Sequence, residues 1–183
     1  HHRALRKPSF AGSGAEGKAK GSATHLALQY MRYSEAVDEP AVREEIARLV
    51  REGFLTAEQA ELVDHSQLVR FFATGLGQQL RTSPNVLREF KFSILEDGRA
   101  FDPELKGEKV LLQGVVDCAL MDEDGIAVMD FKTDRVTEDT VVDTAERYRP
   151  QVEAYADDLS RIFEKKVKQK YLYFFSLDRL VEL

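Results

Sequence analysis

Gly114-Val-Val-Asp117-Cys-Ala-Leu-Met-Asp122-Glu-Asp-Gly125-Ile-Ala-Val-Met-Asp130-Phe-Lys132-Thr-Asp134 consists of two apolar runs joined by a short acidic turn. Val115, Val116, Ala119, Leu120 and Met121 lead in, and Ile126, Ala127, Val128 and Met129 lead out. The Asp122-Glu-Asp-Gly125 segment between them carries the Asp-Gly chemistry that reverses a chain between strands, so the stretch reads as a β-hairpin. Symmetric pairing about that four-residue loop sets Met121 against Ile126. Counting outward sets Asp117 against Asp130, with opposed Cβ atoms about 4.5–5.5 Å apart. Side chains alternate along a strand, so Lys132 projects on the side of Asp130, while Phe131 turns away and leaves its backbone carbonyl nearby. The hairpin therefore predicts two acids and a lysine on one surface.

Like charges opposed in a sheet destabilise it, and apolar neighbours raise the cost of ionising them. A divalent cation between the acids resolves the conflict. Mg²⁺ takes one or two carboxylates and completes its shell with carbonyl, water and phosphate oxygens. Lys132 would then position or deprotonate the attacking water and neutralise charge on a phosphoryl group, as an ammonium or as an amine. The alternative is a surface hairpin in which Lys132 pairs with Asp130 or Asp134 and does no chemistry.

The whole chain bounds these readings. Its 183 residues suffice for one domain with a sizeable core. A composition 43% hydrophobic and 32% charged is that of a soluble globular protein, and no apolar run approaches a membrane span. Nothing implies a membrane partner. The single cysteine, Cys118, excludes an internal disulfide and a four-cysteine zinc or iron–sulfur site, and fits a reducing cytoplasmic compartment. It alternates away from Asp117, toward a core. The net charge of −6 argues against a uniformly basic nucleic-acid surface. However, acid is dense between Glu35 and Asp64, and Arg147, Arg149, Arg161, Lys165, Lys166, Lys168 and Lys170 make the later part locally basic.

Outward toward the N-terminus, the pattern predicts helices. His1-His2 resembles the remnant of an expression tag, and residues 1–21, rich in Gly, Ser, Ala and Lys, read as a flexible lead-in or linker. Within it, residues 12–18 match the first seven positions of a phosphate-binding loop. Ala19 stands where that motif needs Ser or Thr, and no strand precedes it. From Ser22 the spacing is helical, with His25 one turn in: a surface or satisfied histidine, or one position of a metal shell better matched to Mn²⁺ than to Mg²⁺. Further helices are expected from Pro40, from Thr56 as N-cap with Gln59 as its capping-box partner, and over residues 66–80. Their acidic residues are read as solvated faces.

After Pro84 the signal becomes strand. Arg88, Phe90, Phe92 and Ile94 are expected on one face, with Leu87, Glu89 and Lys91 on the other. Glu89 is either an exposed strand residue or a support for the acidic site. Lys109 to Gln113 leads into the hairpin. A helix is expected over residues 144–163, regular only from about Arg149 because of Pro150, with Tyr148, Gln151 and Tyr155 along one stripe. Gln151 and Tyr155 either both reach a phosphate or the metal site, or Tyr155 packs in the core and Gln151 faces solvent. An apolar strand over residues 167–176 and a short edge strand or tail over residues 177–183 complete an α/β domain with a mixed sheet and an N-terminal helical portion, a single domain over residues 22–183.

Gly21-Ser-Ala-Thr-His25, Gly114-Val-Val-Asp117, Asp130-Phe-Lys132-Thr-Asp134 and Gln151-Val-Glu-Ala-Tyr155, in that order, resemble the PD-(D/E)XK nuclease superfamily. The likeness is to its RecB-type branch, as at the C-terminal end of AddA proteins of bacterial helicase–nucleases. It implies a restriction-endonuclease-like core and a Mg²⁺- or Mn²⁺-dependent deoxyribonuclease, and the cysteine count excludes the related four-cysteine nucleases with an iron–sulfur cluster. By the same likeness His25, Asp117, Asp130 and the Phe131 carbonyl hold the metal, and Asp117, Asp130 and Lys132 are catalytic. Gln151, Tyr155 and, less directly, Glu89 support the site or the DNA backbone. Phe131 replaces the family's usual Tyr. The resemblance further implies an exonuclease acting on single strands of unwound DNA in double-strand break repair and recombination, behind an AddA helicase motor and beside an AddB partner. Two other readings remain: a non-catalytic docking module with this fold, and a stand-alone nuclease on other substrates.

Overall fold

The computed structural model describes residues 14–183. The His1-His2 remnant, most of the expected lead-in and the start of the 12–18 segment lie outside them. Helix α1 (Ala15–Tyr30) begins at Ala15 rather than at Ser22, because Ala15, Glu16, Lys18, Ala19 and Lys20 are good helix formers and outweigh Gly17 and Gly21. After a short 3-10 turn at Tyr33–Glu35 comes α2 (Glu39–Arg51), where Asp38 caps the first turn by accepting from the Ala41 amide and Pro40 needs no donor. Helix α3 (Ala57–Leu62) opens with the expected Thr56–Gln59 capping box.

The run expected over residues 66–80 is instead two helices, α4 (His65–Ala73) and α5 (Gly75–Thr82). Thr74 is extended, and its hydroxyl accepts from the Gly77 amide at 3.0 Å, so one residue ends the first helix and caps the second. One acid of this scaffold departs from the expected solvated face. Glu45 is buried, accepting from the Arg32 amide at 2.7 Å and from Arg48 at 2.9 Å.

Five strands follow: β1 (Val86–Asp97), β2 (Lys109–Asp122), β3 (Gly125–Lys132), β4 (Val167–Phe174) and β5 (Arg179–Glu182). They lie side by side in chain order, all antiparallel except β3 with β4, which run parallel across the crossover helix α6 (Val141–Phe163). The sheet is mixed, as expected. In the hairpin Met121 faces Ile126, but Asp122 itself pairs with Gly125, leaving only Glu123 and Asp124 in the turn. The Asp122 carboxylate accepts from the amides of Asp124 and Gly125, which tightens the reversal.

Both faces of the sheet are covered. Helices α1, α2, α4 and α5 bury one face around Leu28, Leu49, Leu68, Phe71, Cys118, Met129, Phe131 and Tyr173. Helix α6 covers the other, with Tyr155 and Leu159 against Phe92, Val116 and Val128, and with Tyr148 and Val152 against Leu172 and Phe174. Pro150 does not delay this helix, which runs unbroken from Val141. The proline ring is exposed, and Arg149 straddles it by pairing with Glu146 and Glu153. Among the described residues no helix is long and apolar enough to cross a membrane.

Strand β1 changes sides, and β2 with it, Val116 lying in the layer of α6 and Cys118 in that of α1 and α4. Arg88 contacts α1 and Tyr33, whereas Phe90 packs on Phe163 of α6 and Phe92 on Tyr155. The single face expected for Arg88, Phe90, Phe92 and Ile94 is thus broken between Arg88 and Phe90. The cause is Glu89, whose φ of 47° is left-handed and resets the alternation without inserting a residue.

Asp158 on α6 is buried, and desolvation followed by the neighbouring Asp157 pushes its carboxyl up to about 6. A folded pKa above the unfolded value means stability falls as pH rises from about 4 through 6. Asp158→Asn should therefore stabilise the fold by about 1–3 kcal/mol at pH 8 and leave it unchanged near pH 4. Urea denaturation at both pH values would read this, and a gain equal at both would exclude it.

Candidate active site

The hairpin carries three buried charged side chains: Asp117 on β2, and Asp130 and Lys132 on β3, none more than 5% exposed. Burial rules out the solvated surface pair. The Lys132 ammonium lies 2.7 Å from Asp130 Oδ2. The Phe131 side chain points into the helical layer, edge-on to Phe71 at 5.3 Å, and its carbonyl stays on the site side. Counting one residue beyond the Cys118–Met129 pair brings Asp117 level with Asp130. Asp117 also reaches β3 through its side chain, Oδ2 accepting from the Phe131 amide at 2.9 Å.

His25 closes the site from α1. Its Nε2 is 3.2 Å from Asp117 Oδ2 and 2.9 Å from the Phe131 carbonyl, and its Nδ1 is 2.9 Å from the Gly21 carbonyl. A carbonyl only accepts, so Nδ1 carries the hydrogen. In the neutral ring the Nε2 lone pair then confronts two oxygen acceptors. Either a proton on Nε2 or a cation among the three atoms relieves that repulsion. The spacing suits the latter: cis ligands at 2.0–2.1 Å in an octahedral shell lie about 3 Å apart. A backbone carbonyl on Nδ1 is also the usual device that aims a metal-binding imidazole. Among the described residues, however, no three His, Cys, Asp or Glu side chains already stand in metal-ligand geometry.

Local sequence explains how α1 comes so close. Gly21 rests on Thr133, and a Cβ there would sit 2.8 Å from the Thr133 hydroxyl. At the other end Arg88 donates to the carbonyls of Leu28 and Met31 and lies over the Tyr33 ring at 4.3 Å, while the Tyr33 hydroxyl donates to Leu28 at 2.5 Å. Burial raises the Tyr33 pKa well above its ordinary range, keeping that donor protonated.

The remaining expected residues divide. Glu89, half-buried, falls across β1–β2 from Asp117, since Arg88 pairs with Cys118 and Phe90 with Val116. Tyr155 is buried against Phe92, over Gly114, where a Cβ would meet both rings within 2.8 Å. Gln151 is not solvent-facing: its Nε2 donates to the Tyr155 hydroxyl at 3.0 Å, and its Oε1 is buried with no hydrogen-bond partner among the described residues. The model of the PD-(D/E)XK nuclease superfamily matches residues 1–181.

The chain belongs to the PD-(D/E)XK nuclease superfamily.

Its relatives include the A component of the ATP-dependent helicase/nuclease of Clostridium botulinum strain Loch Maree, 34% identical over 98% of this chain. The protein of that name from strain Hall is 36% identical over 98%, and that of Thermoanaerobacter sp. strain X514 is 36% identical over 89%. The chain spans 14% of the length of each.

Two PD-(D/E)XK site neighbours escaped the sequence pattern. Tyr148 lays its ring over the Lys132 ammonium at 3.8 Å, and its hydroxyl donates to Asp134 Oδ2 at 2.8 Å. Its place one turn before Gln151 on the same helical stripe was the available signal. Arg88 was the other, hidden by the change of face at Glu89. Arg88→Met should cost about 2–4 kcal/mol in denaturant unfolding, the scale of two charge-assisted hydrogen bonds lost to buried carbonyls. Arg88→Lys should recover only part of it.

Proposed function

We propose that this chain is a divalent-metal-dependent deoxyribonuclease domain that hydrolyses phosphodiester bonds. The observation that carries the proposal is His25 Nε2 held against Asp117 Oδ2 and the Phe131 carbonyl, beside the buried Asp130–Lys132 pair. His25, Asp117, Asp130 and the Phe131 carbonyl would hold Mg²⁺ or Mn²⁺; an imidazole favours Mn²⁺. Bound there, the ion supplies Lewis-acid polarisation of a phosphodiester and offsets the charge that builds on it.

The chain's own residues do the rest. Asp117 fixes the β2–β3 opening by holding the Phe131 amide, which aims the Phe131 carbonyl. The Gly21 carbonyl fixes the imidazole. Lys132 brings a positive charge on a side chain 2% exposed, where it orients the attacking water and neutralises the phosphoryl group. Gln151, with a buried acceptor oxygen that meets no donor among the described residues, and Tyr155, its hydrogen-bond partner, would support the site or the DNA backbone from α6. Glu89 supports Asp117 from β1.

The relatives carry the name helicase/nuclease, which supports single strands of unwound DNA as substrate and a repair and recombination setting in the cytoplasm. A helicase motor of the AddA kind and a second protein of the AddB kind would be its partners. End-labelled single-stranded DNA, incubated with and without Mg²⁺ or Mn²⁺, tests the activity. The wild-type chain should cleave only with metal, and Asp117→Asn and Asp130→Asn should each lower the rate by at least about a thousandfold with an unchanged circular dichroism spectrum. Cleavage by Asp130→Asn at the wild-type rate would end the assignment.

A further inference from the structure

The Lys132 ammonium stands between two different hosts. On one side is Asp130 Oδ2 at 2.7 Å, a carboxylate that would also be a ligand of the divalent ion. On the other is the face of the Tyr148 ring, centroid 3.8 Å away. These hosts respond oppositely to a metal. A dication at Asp130 takes over that carboxylate's charge and repels the ammonium, whereas a ring face carries no net charge and is no ligand for a hard cation.

We propose that Tyr148, anchored by Asp134, is the positioning residue that retains the Lys132 ammonium in the site when a divalent ion occupies Asp130. The inference rests on the nuclease reading and deepens it. The site would exchange one cation for another at Asp130 without expelling the lysine, because a second berth is already in contact.

The anchor is built into the end of the sheet. The Tyr148 hydroxyl donates to Asp134 Oδ2, two residues beyond Lys132 on the same extended run. The Asp134 carbonyl accepts from the Ser176 hydroxyl at 2.6 Å, and that hydroxyl accepts from the Val136 amide at 3.2 Å. The Lys132 carbonyl accepts from the Phe175 amide at 3.0 Å. The segments leaving β3 and β4 are thereby tied together, and the carboxylate holding the ring keeps a fixed offset from the ammonium it serves. Burial and the Asp134 carboxylate both raise the Tyr148 pKa, so the hydroxyl stays a donor and the ring stays neutral.

Mn²⁺ affinity of the wild-type chain, measured by the loss of the free-ion electron paramagnetic resonance signal, tests this without reference to cleavage. Tyr148→Leu removes the second berth, so Mn²⁺ must displace the ammonium into solvent or bind against it. The dissociation constant should rise about tenfold, the scale of one desolvated cation–π contact. In a Lys132→Met background, where no ammonium competes, Tyr148→Leu should leave the Mn²⁺ constant unchanged. Tyr148→Phe keeps the ring face and should raise it by no more than about threefold, as should Asp134→Asn, which loosens the ring. If Tyr148→Leu fails to fold, the dependence of the Asp134→Asn effect on Lys132 carries the test. An equal shift in both Lys132 backgrounds, or none in either, overturns the proposal. Absence of Mn²⁺ binding by the wild-type chain overturns the nuclease reading with it, whereas tight binding indifferent to Tyr148 overturns this proposal alone.

Discussion

Everything in this fold answers to one electrostatic constraint: an imidazole nitrogen brought within 3.2 Å of two acceptor oxygens at the edge of the buried hairpin. Such a cluster is repulsive on its own and is stable only if the surrounding structure holds it. Three independent elements do so. Asp117 grips the Phe131 amide, the Gly21 carbonyl fixes the imidazole, and the carbonyls at the end of α1 are clamped by Arg88. The apolar layer beneath is what makes that clamp rigid, since Leu28, Phe71 and Phe131 belong to one continuous core.

Burying Asp130 and Lys132 together has a cost that their attraction only partly offsets, because both charges leave water. A core of this size would be at least as stable with apolar residues there. The pair therefore owes little to stability and fits the proposed nuclease role, as does the buried Gln151 oxygen that no donor among the described residues meets. The sheet supplies the precision. Parallel pairing of β3 with β4 buries β3 on both sides, so neither Asp130 nor Lys132 sits on an edge where water could loosen it.

Much of this was legible in the sequence where the determinants are local. The acidic turn set the hairpin register, since Met121 opposes Ile126 whether four residues or two are counted in the loop. The Thr56–Gln59 box and the helix start at Pro40 were readable from side-chain chemistry alone. What escaped was set by packing at a distance. A left-handed Glu89 leaves no trace in a strand pattern that assumes strict alternation, so Arg88 was assigned to the wrong face. Pro150 suggested a late helix start, yet its ring lies on the exposed side of α6, where it disturbs nothing in the core. The break at Thr74 depended on a hydroxyl finding the Gly77 amide, which spacing alone does not announce. Tyr148 looked like one more member of a helical stripe, because its contact with Lys132 exists only once α6 has crossed the sheet.

The span between α1 and β3 has a kinetic consequence. His25 and the Phe131 carbonyl are separated by 106 residues along the chain, whereas the hairpin closes over a two-residue turn. Closing so long a loop carries an entropic penalty that one hydrogen bond does not meet, so this contact follows the docking of the helical layer onto a preformed sheet. Partly folded molecules would then hold a complete hairpin and an incomplete centre, remaining inert toward whatever polymer they touch until the last tertiary step.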